Sequence, residues 1–234
     1  MARRGGVDSF AQRVTNRLTQ EKCMVEVTSL LSIAAALCIG AVSPGPSFLM
    51  VAKTAASAGR SHGLSAALGM GLGTLLFAII SLLGLNAVFL AVPALYLALK
   101  LIGGLYLVYL GCRIWQGAKQ SLDVSIDATS ENVVGDRSYL LLGFATQVSN
   151  PKTAIVYAGV FAAFLPATPS IQYNLAVVSL AFIIDAGWYA IVATVLSSRG
   201  PRGTYLFYKK WVDRSAGGIL GALGLKLAVS AGQH

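Results

Sequence analysis

A stretch without any charge, from residue 63 to residue 99, constrains the fold of this chain more than any other feature. It is longer than the roughly 20 apolar residues that a helix needs to cross about 30 Å of hydrocarbon. Asn86 and Pro93 are turn-forming residues in its middle, so we expect two membrane-spanning helices joined by a tight loop. The chain of 234 residues is 56% hydrophobic and only 12% charged, whereas soluble domains have about 25% charged residues. The composition therefore predicts an integral membrane protein.

Apolar stretches of spanning length occur six times, which predicts an all-α integral membrane protein with six transmembrane helices. The first, third and fifth loops contain basic residues, such as Arg60, Arg137 and Arg202, and the second and fourth contain none. Because basic loops stay in the cytoplasm, both termini are expected on the outer face. The predicted spans lie near residues 27–52, 64–86, 92–112, 139–164, 171–197 and 205–230.

Residues 1–23 disagree with this orientation, because they contain five basic residues and are nevertheless placed on the outer face. Met24 stands directly before the first apolar stretch. We therefore expect residues 1–23 to be an N-terminal extension that is dispensable or that reflects a misassigned start. Phe10, Val14 and Leu18 recur at four-residue spacing, so an amphipathic helix on the membrane surface is the alternative.

Two prolines interrupt the first predicted span in the stretch VSPGPSFLM, from Val42 to Met50. Each proline removes a backbone donor and costs about 3 kcal/mol in an ordinary helix interior. Backbone groups without partners are not tolerated where they face lipid. A similar stretch, VSNPK, from Val148 to Lys152, interrupts the fourth span. We expect broken first and fourth helices whose freed backbone groups face protein or a watery cavity.

Each break opens a group of three helices, and the ends of the two groups also match. Residues 104–113 read GLYLVYLGCR and residues 217–226 read GGILGALGLK, with glycines seven residues apart in both. Because three helices per copy place the second copy upside down, the pattern predicts two inverted three-helix repeats, which are typical of transporters. The expected organisation is a first repeat at 24–117, a cytoplasmic linker at 118–137 and a second repeat at 138–234.

Two charged residues fall deep inside the predicted spans: Lys152 follows the second break, and Asp185 lies within the fifth span. An intramembrane charge is costly and marks a functional site by default. We expect Lys152 and the amides near the first break to hold a carboxylate, while Asp185 meets an ammonium group or a proton. The alternative is that the two charges pair and lock two helices together. The candidate substrate-binding residues are Ser43, Pro44, Gly45, Pro46, Ser47, Asn150, Pro151, Lys152 and Trp188, and Asp185 is the candidate for proton coupling.

Other functional classes lack the residues that they need. An intramembrane serine protease requires a base beside its nucleophile, and the only histidines, His62 and His234, lie in a loop and at the terminus. The three cysteines form no CxxC pair, and the spans contain no cluster of metal ligands, so neither an enzyme, a cofactor nor a metal site is expected. The net charge of +9 is explained by membrane orientation rather than by nucleic-acid binding.

Three segments resemble the LysE superfamily of exporters, in particular its RhtB branch of homoserine and threonine exporters. They read AVSPGPSFLMVAKTAASAGRSHGLSAALGMGLGT, LKLIGGLYLVYLGCRIWQG and GFATQVSNPKTAIVYAGVFAAFLP. The resemblance runs from about Met24 to the C-terminus. It implies six spans and a secondary transporter of the bacterial cytoplasmic membrane that exports amino acids, driven by the proton-motive force. By position, the family's elements correspond to Ser43–Pro46, Asn150–Lys152 and the Asp185 and Trp188 pair.

The expected partners are an amino acid, protons and the lipid bilayer. A neutral amino acid of the homoserine, threonine or leucine type is the expected substrate. Export of another small metabolite or of a cation on the same fold is an alternative, and a passive channel is another. Gly69 and Gly73 are in the GxxxG register that allows close helix packing, either within the fold or in a homodimer.

Overall fold

The computed structural model describes residues 4–43, 45–91, 93–118, 135–166 and 168–231. Within these ranges the protein is entirely helical and contains no β-strand. The described helices, in chain order, are α1 (Arg4–Val42), α2 (Pro46–Ser57), α3 (Arg60–Ala91), α4 (Pro93–Gly117), α5 (Asp136–Val148), α6 (Pro151–Phe164), α7 (Ile171–Leu196) and α8 (Arg199–Ala231).

Both predicted helix interruptions are present. The first separates α1 from α2, which begins at Pro46, and the second separates α5 from α6, which begins at Pro151. Each proline occupies the first turn of its helix, where its missing N–H would have had no intrahelical partner anyway. The prolines therefore restart helices rather than bend them. Pro44, between α1 and α2, lies outside the described residues.

The helices extend further than the apolar stretches predicted. Asn86 lies inside α3 instead of in a turn, and α8 begins at Arg199 instead of near residue 205. Helix α1 continues through Met24 without a break. Hydropathy locates the part of a helix that crosses the membrane, whereas the helical hydrogen bonds end where a turn residue stops them. Most of the predicted linker, residues 119–134, lies outside the described residues.

Several helices present apolar side chains outward, as lipid contact requires. Within the described ranges, the stretches Thr19–Val42, Arg60–Gly84 and Ile171–Leu196 are long and apolar enough to cross a membrane. Leu83 is 67% exposed and Leu175 is 64% exposed. A protein surrounded by water rarely exposes so much contiguous apolar surface. The fold is that of a multi-pass membrane protein.

Two buried apolar clusters lie on either side of a polar level in the bundle. On α3, Met70 belongs to one cluster and Ala78 to the other, and Thr74 lies one turn from each. Asp185 occupies the corresponding level of α7, between apolar positions of the same two clusters. Buried polar groups at this level therefore have to find partners among themselves. Members of the two clusters include Ile33, Leu107, Phe161 and Leu220 in the first and Phe48, Val51, Met70 and Leu196 in the second.

Helices α3 and α5 touch through their backbones. A Cβ atom on Gly69 would lie 2.0 Å from the carbonyl oxygen of Leu140, and one on Gly143 would lie 2.2 Å from that of Ala66. A Cβ atom on Gly73 would lie 2.7 Å from the Cβ atom of Gln147. The GxxxG pair, Gly69 and Gly73, thus packs within the fold, and it brings Gln147 of α5 up to the polar level.

Replacing Gly69 by alanine should destabilise the protein, because the added methyl group collides with the α5 backbone and overpacking of this kind costs about 1–3 kcal/mol or more. The measurement is the thermal midpoint of the purified protein in detergent. Gly84→Ala on the same helix is the matched control, since nothing lies within 4 Å of its Cβ position. Equal midpoints for the two variants would contradict this packing.

Candidate functional site

A small buried cavity lies where the two helix breaks meet α7. The space open to the centre of a water-sized sphere is ≈ 20 Å³, and one buried water needs roughly 10–15 Å³ of such space. The cavity in this conformation therefore fits about one water, and a larger molecule requires the helices to move apart. Its lining includes Gly45, Ser47, Asn150, Lys152, Tyr157 and Asp185.

The side chain of Lys152 connects the two breaks. Its Nζ atom donates a hydrogen bond of 2.6 Å to the carbonyl oxygen of Ser43, at the end of α1. That carbonyl has lost its intrahelical partner because the helix stops there. Gly45 leaves room for the contact, since a Cβ atom at this position would lie 3.3 Å from Cδ of Lys152. The lysine beside the second break thus donates to a backbone carbonyl that the first break leaves without a helical partner.

Asp185 is held by two donors on one of its oxygens. The Thr74 hydroxyl donates to Oδ2 at 2.5 Å, and Nε2 of Gln147 donates to the same oxygen at 2.8 Å. Oδ1 accepts no hydrogen bond from the described residues. The side chain is only 4% exposed and lines the cavity. One carboxylate oxygen is therefore fixed, and the other is available to a ligand.

A chain of hydrogen bonds links the start of α6 to Asp185. Nδ2 of Asn150 donates to the Ser47 hydroxyl at 2.8 Å, and this hydroxyl donates to Oε1 of Gln147 at 2.6 Å. Oδ1 of Asn150 accepts the backbone N–H of Lys152 at 3.0 Å and caps α6. Polar residues of both breaks thereby orient Gln147, which orients Asp185.

Lys152 and Asp185 do not pair with each other. No ion pair within 4.0 Å joins them in the part of the chain that the structure describes. The ammonium group binds a neutral carbonyl, and the carboxylate binds a hydroxyl and an amide. Two opposite charges therefore line one cavity, and each is held by neutral groups.

The structure brings together six of the predicted site residues. Pro46 and Pro151 have exposed side chains and act on the backbone alone, and Pro44 lies outside the described residues. Trp188 packs with the Phe48 cluster instead of lining the cavity, and its Nε1 atom is buried without a hydrogen-bond partner. The residues that meet at the cavity or its network are Ser43, Gly45, Ser47, Asn150, Lys152 and Asp185.

Three residues of the site were not predicted from the sequence: Thr74, Gln147 and Tyr157. Tyr157 lines the cavity, and an aromatic residue in an apolar helix gives no sign of which way it faces. Gln147 directly precedes the second break. A polar amide inside a predicted span is the feature that could have identified it as a site residue. Thr74 gives a weaker signal, because threonine hydroxyls in helices often bond to their own backbone.

Replacing Thr74 by valine should lower stability by about 1–3 kcal/mol, because the buried carboxylate loses a donor while the side-chain volume stays nearly the same. Chemical or thermal unfolding of the purified protein measures this loss. Thr54→Val is the matched control, since the buried Thr54 hydroxyl bonds to the sulfur of Met50 at 3.4 Å, and sulfur is a weak acceptor. If Thr54→Val costs as much as Thr74→Val, the network is not a source of stability.

Comparison with known proteins places these features in a recognised group. The LysE type translocator family matches residues 38–231. The threonine efflux protein of Escherichia coli (strain K12) is 28% identical over 200 residues, which cover 86% of this chain and 97% of the relative. The threonine efflux protein of Salmonella typhi is 28% identical over 192 residues, covering 82% of this chain and 93% of that protein. An uncharacterised membrane protein of Synechocystis is 29% identical over 206 residues, covering 87% and 97%. No solved structure matches the chain.

Proposed function

The chain belongs to the LysE type translocator family, and from this membership and the site geometry we propose that it exports a neutral amino acid from the bacterial cytoplasm. It is a membrane transporter and not an enzyme. Relatives that align over most of the chain are named as threonine efflux proteins. The cavity between the helix breaks supports extending that type of cargo to this chain.

The observation that carries this proposal is the presence of unpaired opposite charges beside one cavity. A free amino acid is a zwitterion, with a carboxylate and an ammonium group on the same carbon. Its carboxylate would replace the Ser43 carbonyl as the acceptor for Lys152, because it adds the attraction between two full charges to a hydrogen bond that otherwise ends on a neutral oxygen. Its ammonium group would bind the available oxygen of Asp185. Each end of the substrate would then meet a group of opposite charge.

Unused hydroxyl groups near the cavity favour a small substrate with a neutral or hydroxyl-bearing side chain. The Ser43 hydroxyl and the Tyr157 hydroxyl are buried and have no hydrogen-bond partner among the described residues. A substrate hydroxyl would satisfy one of them. A third charge on the substrate would be buried without a counter-charge, at a cost of several kcal/mol. Amino acids with a charged side chain are therefore poor candidates.

We infer that the protein consists of six spans in two inverted repeats, with α1–α2 and α5–α6 as the broken first spans. The contact between α4 and α8 supports this organisation. A Cβ atom on Gly104 would lie 2.8 Å from the Gly224 carbonyl oxygen, and one on Gly111 would lie 2.5 Å from that of Gly217. The matching glycines are Gly104 and Gly111 on α4 and Gly217 and Gly224 on α8. The first glycine of one helix thus packs against the second glycine of the other helix, which is the arrangement that a two-fold axis between antiparallel helices would produce. Alternating access would rock one repeat against the other about the shared site.

Coupling to protons is the second part of the proposal, and Asp185 is the candidate. Intramembrane carboxyl groups commonly carry protons in transporters. When the substrate ammonium group leaves, a proton would replace it on the available oxygen while Thr74 and Gln147 keep the other oxygen in place. Proton and substrate would then occupy Asp185 in turn, which is the condition for exchange transport.

Lys152→Met should abolish export, because it removes the cation for the substrate carboxylate while keeping a side chain of similar length. Amino acids released into the medium by cells that express the variant would be identified by mass spectrometry. Lys53→Met is the matched control: Lys53 is exposed on α2, and its loss should leave export unchanged.

Both variants must be shown to insert into the membrane at the level of the parent chain. The same cultures should include a chain that starts at Met24, which we expect to export normally because the family match begins at residue 38. If the cells selectively release a different metabolite, that metabolite becomes the cargo in place of the proposed amino acid. Release by Lys152→Met equal to that of the parent would refute the proposed site.

Asp185→Asn should retain exchange of substrate across the membrane but lose acceleration by a proton gradient, since an amide cannot take up the proton. Transport of labelled threonine in proteoliposomes, with and without an imposed gradient, measures this difference. Asp136→Asn is the control, because Asp136 is exposed at the start of α5. A gradient response that persists in Asp185→Asn would remove the coupling role, and flux that never saturates would identify a passive channel.

A further inference from the structure

A groove on the lipid-facing surface of α4 and α8 lies apart from the transport site. It has a volume of ≈ 310 Å³ and is lined by one residue of α4 and by one face of α8. The α8 residues recur at intervals of three and four, which places them on the same side of that helix. We call it the tryptophan groove, and its lining residues are Trp115, Trp211, Arg214, Ser215, Gly218 and Ile219.

Close approach of the two helices shapes this groove. A Cβ atom on Gly217 would lie 2.6 Å from the carbonyl oxygen of Gly111, so the two backbones touch beside the groove. Gly218 then presents no side chain to Trp115, and a Cβ atom there would lie 3.4 Å from the indole ring. The groove is therefore shaped by a close backbone contact between two helices and not by a loop.

Two tryptophans form the walls of the groove, and both are well exposed. Trp115 is 51% exposed and Trp211 is 65% exposed. Tryptophan is enriched at the level of lipid headgroups, where its ring contacts apolar chains and its N–H contacts polar groups. Trp188 of α7 is less exposed and packs against the Phe48 cluster. The groove tryptophans thus mark the level of the membrane surface on α4 and α8.

Arg214 supplies a cation with an unused donor. Its guanidinium carbon lies 5.8 Å from the centre of the Trp115 ring, within the range of a cation–π interaction that fixes its position. Its Nε atom is buried and has no hydrogen-bond partner among the described residues. Lys210, one turn earlier, is exposed, and no acidic residue lines the groove. A guanidinium fork with a free donor matches a phosphate group, which accepts two parallel hydrogen bonds.

Basic residues near the groove, such as Arg113 and Lys210, are typical of the cytoplasmic side, so we expect the groove at the cytoplasmic leaflet, where anionic lipids are found and where basic pockets between helices bind their headgroups. We propose that the tryptophan groove binds the phosphate of an anionic phospholipid. Arg214 contacts the phosphate, the two indole rings flank the glycerol region, and an acyl chain follows Ile219 along α8. Ile219 is 45% exposed, so it offers an apolar surface directly below the headgroup.

The test measures which lipid lies next to the tryptophans. The full chain is reconstituted in phosphatidylcholine vesicles that contain, at equal mole fraction, either phosphatidylglycerol or phosphatidylcholine with brominated acyl chains, and tryptophan fluorescence is recorded. Bromine quenches only nearby rings. We expect an enrichment of the anionic lipid of about fivefold, the ratio that one basic side chain near an anionic surface contributes. Arg214→Gln should remove this enrichment.

Arg113→Gln is the matched control, because Arg113 is an exposed arginine on α4, bonds to Tyr109 at 3.2 Å and does not line the groove. The Arg113→Gln variant should show the same enrichment of the anionic lipid as the parent chain. If Arg214→Gln does not yield a monodisperse protein, Ser215→Phe fills the groove from an exposed position and should remove the enrichment instead. Equal quenching by both lipids in the parent chain would overturn the proposal. Equal losses of lipid enrichment in the two arginine variants would also overturn it. Reversal of the enrichment by millimolar inorganic phosphate would overturn it as well, because it would identify a soluble anion as the ligand.

Discussion

Backbone groups set free by a broken helix cannot remain without partners inside a membrane, and in this protein a side chain of the second break satisfies a carbonyl of the first. Lys152, next to the second break, donates to the carbonyl oxygen of Ser43 at the first. Asn150 at the second break donates to the hydroxyl of Ser47 beyond the first. Unpaired backbone groups in hydrocarbon cost several kcal/mol each. The two breaks are therefore stable only when they are packed against each other.

The other helices of the bundle position the side chains that surround the two helix breaks. Backbone contact at Gly69 and Gly73 places Gln147 beside Thr74, and these two side chains hold Asp185 by one oxygen. Two apolar clusters lie on either side of this level and keep it dry apart from the cavity. A dry polar layer makes electrostatic interactions strong. The structure therefore places Lys152 and Asp185 together beside the cavity of this polar layer.

The sequence predicted the class of fold, the two helix interruptions and the two intramembrane charges, because each follows from a local rule. Proline stops a helix whatever surrounds it, and a charge in an apolar stretch is conspicuous. Thr74 and Gln147 were missed because their role depends on which helices touch, and glycine packing decides that only in three dimensions. The length of α8 was also underestimated, since hydropathy marks the membrane and not the end of a helix. Trp188 was placed at the site from its neighbour Asp185, and in the structure it packs against the Phe48 cluster and does not line the cavity.

Recognition of both ends of a zwitterion, between Lys152 and Asp185, is the central feature of the proposed transport site. The most direct measurement is calorimetric binding of three matched ligands to the purified protein: threonine, threonine amide without the carboxylate, and N-acetylthreonine without the ammonium group. We predict saturable binding of threonine alone, because each derivative leaves one buried charge of the site without its partner. Binding of either derivative with the affinity of threonine would show that the corresponding charge does not contact the substrate, and would contradict the proposed site.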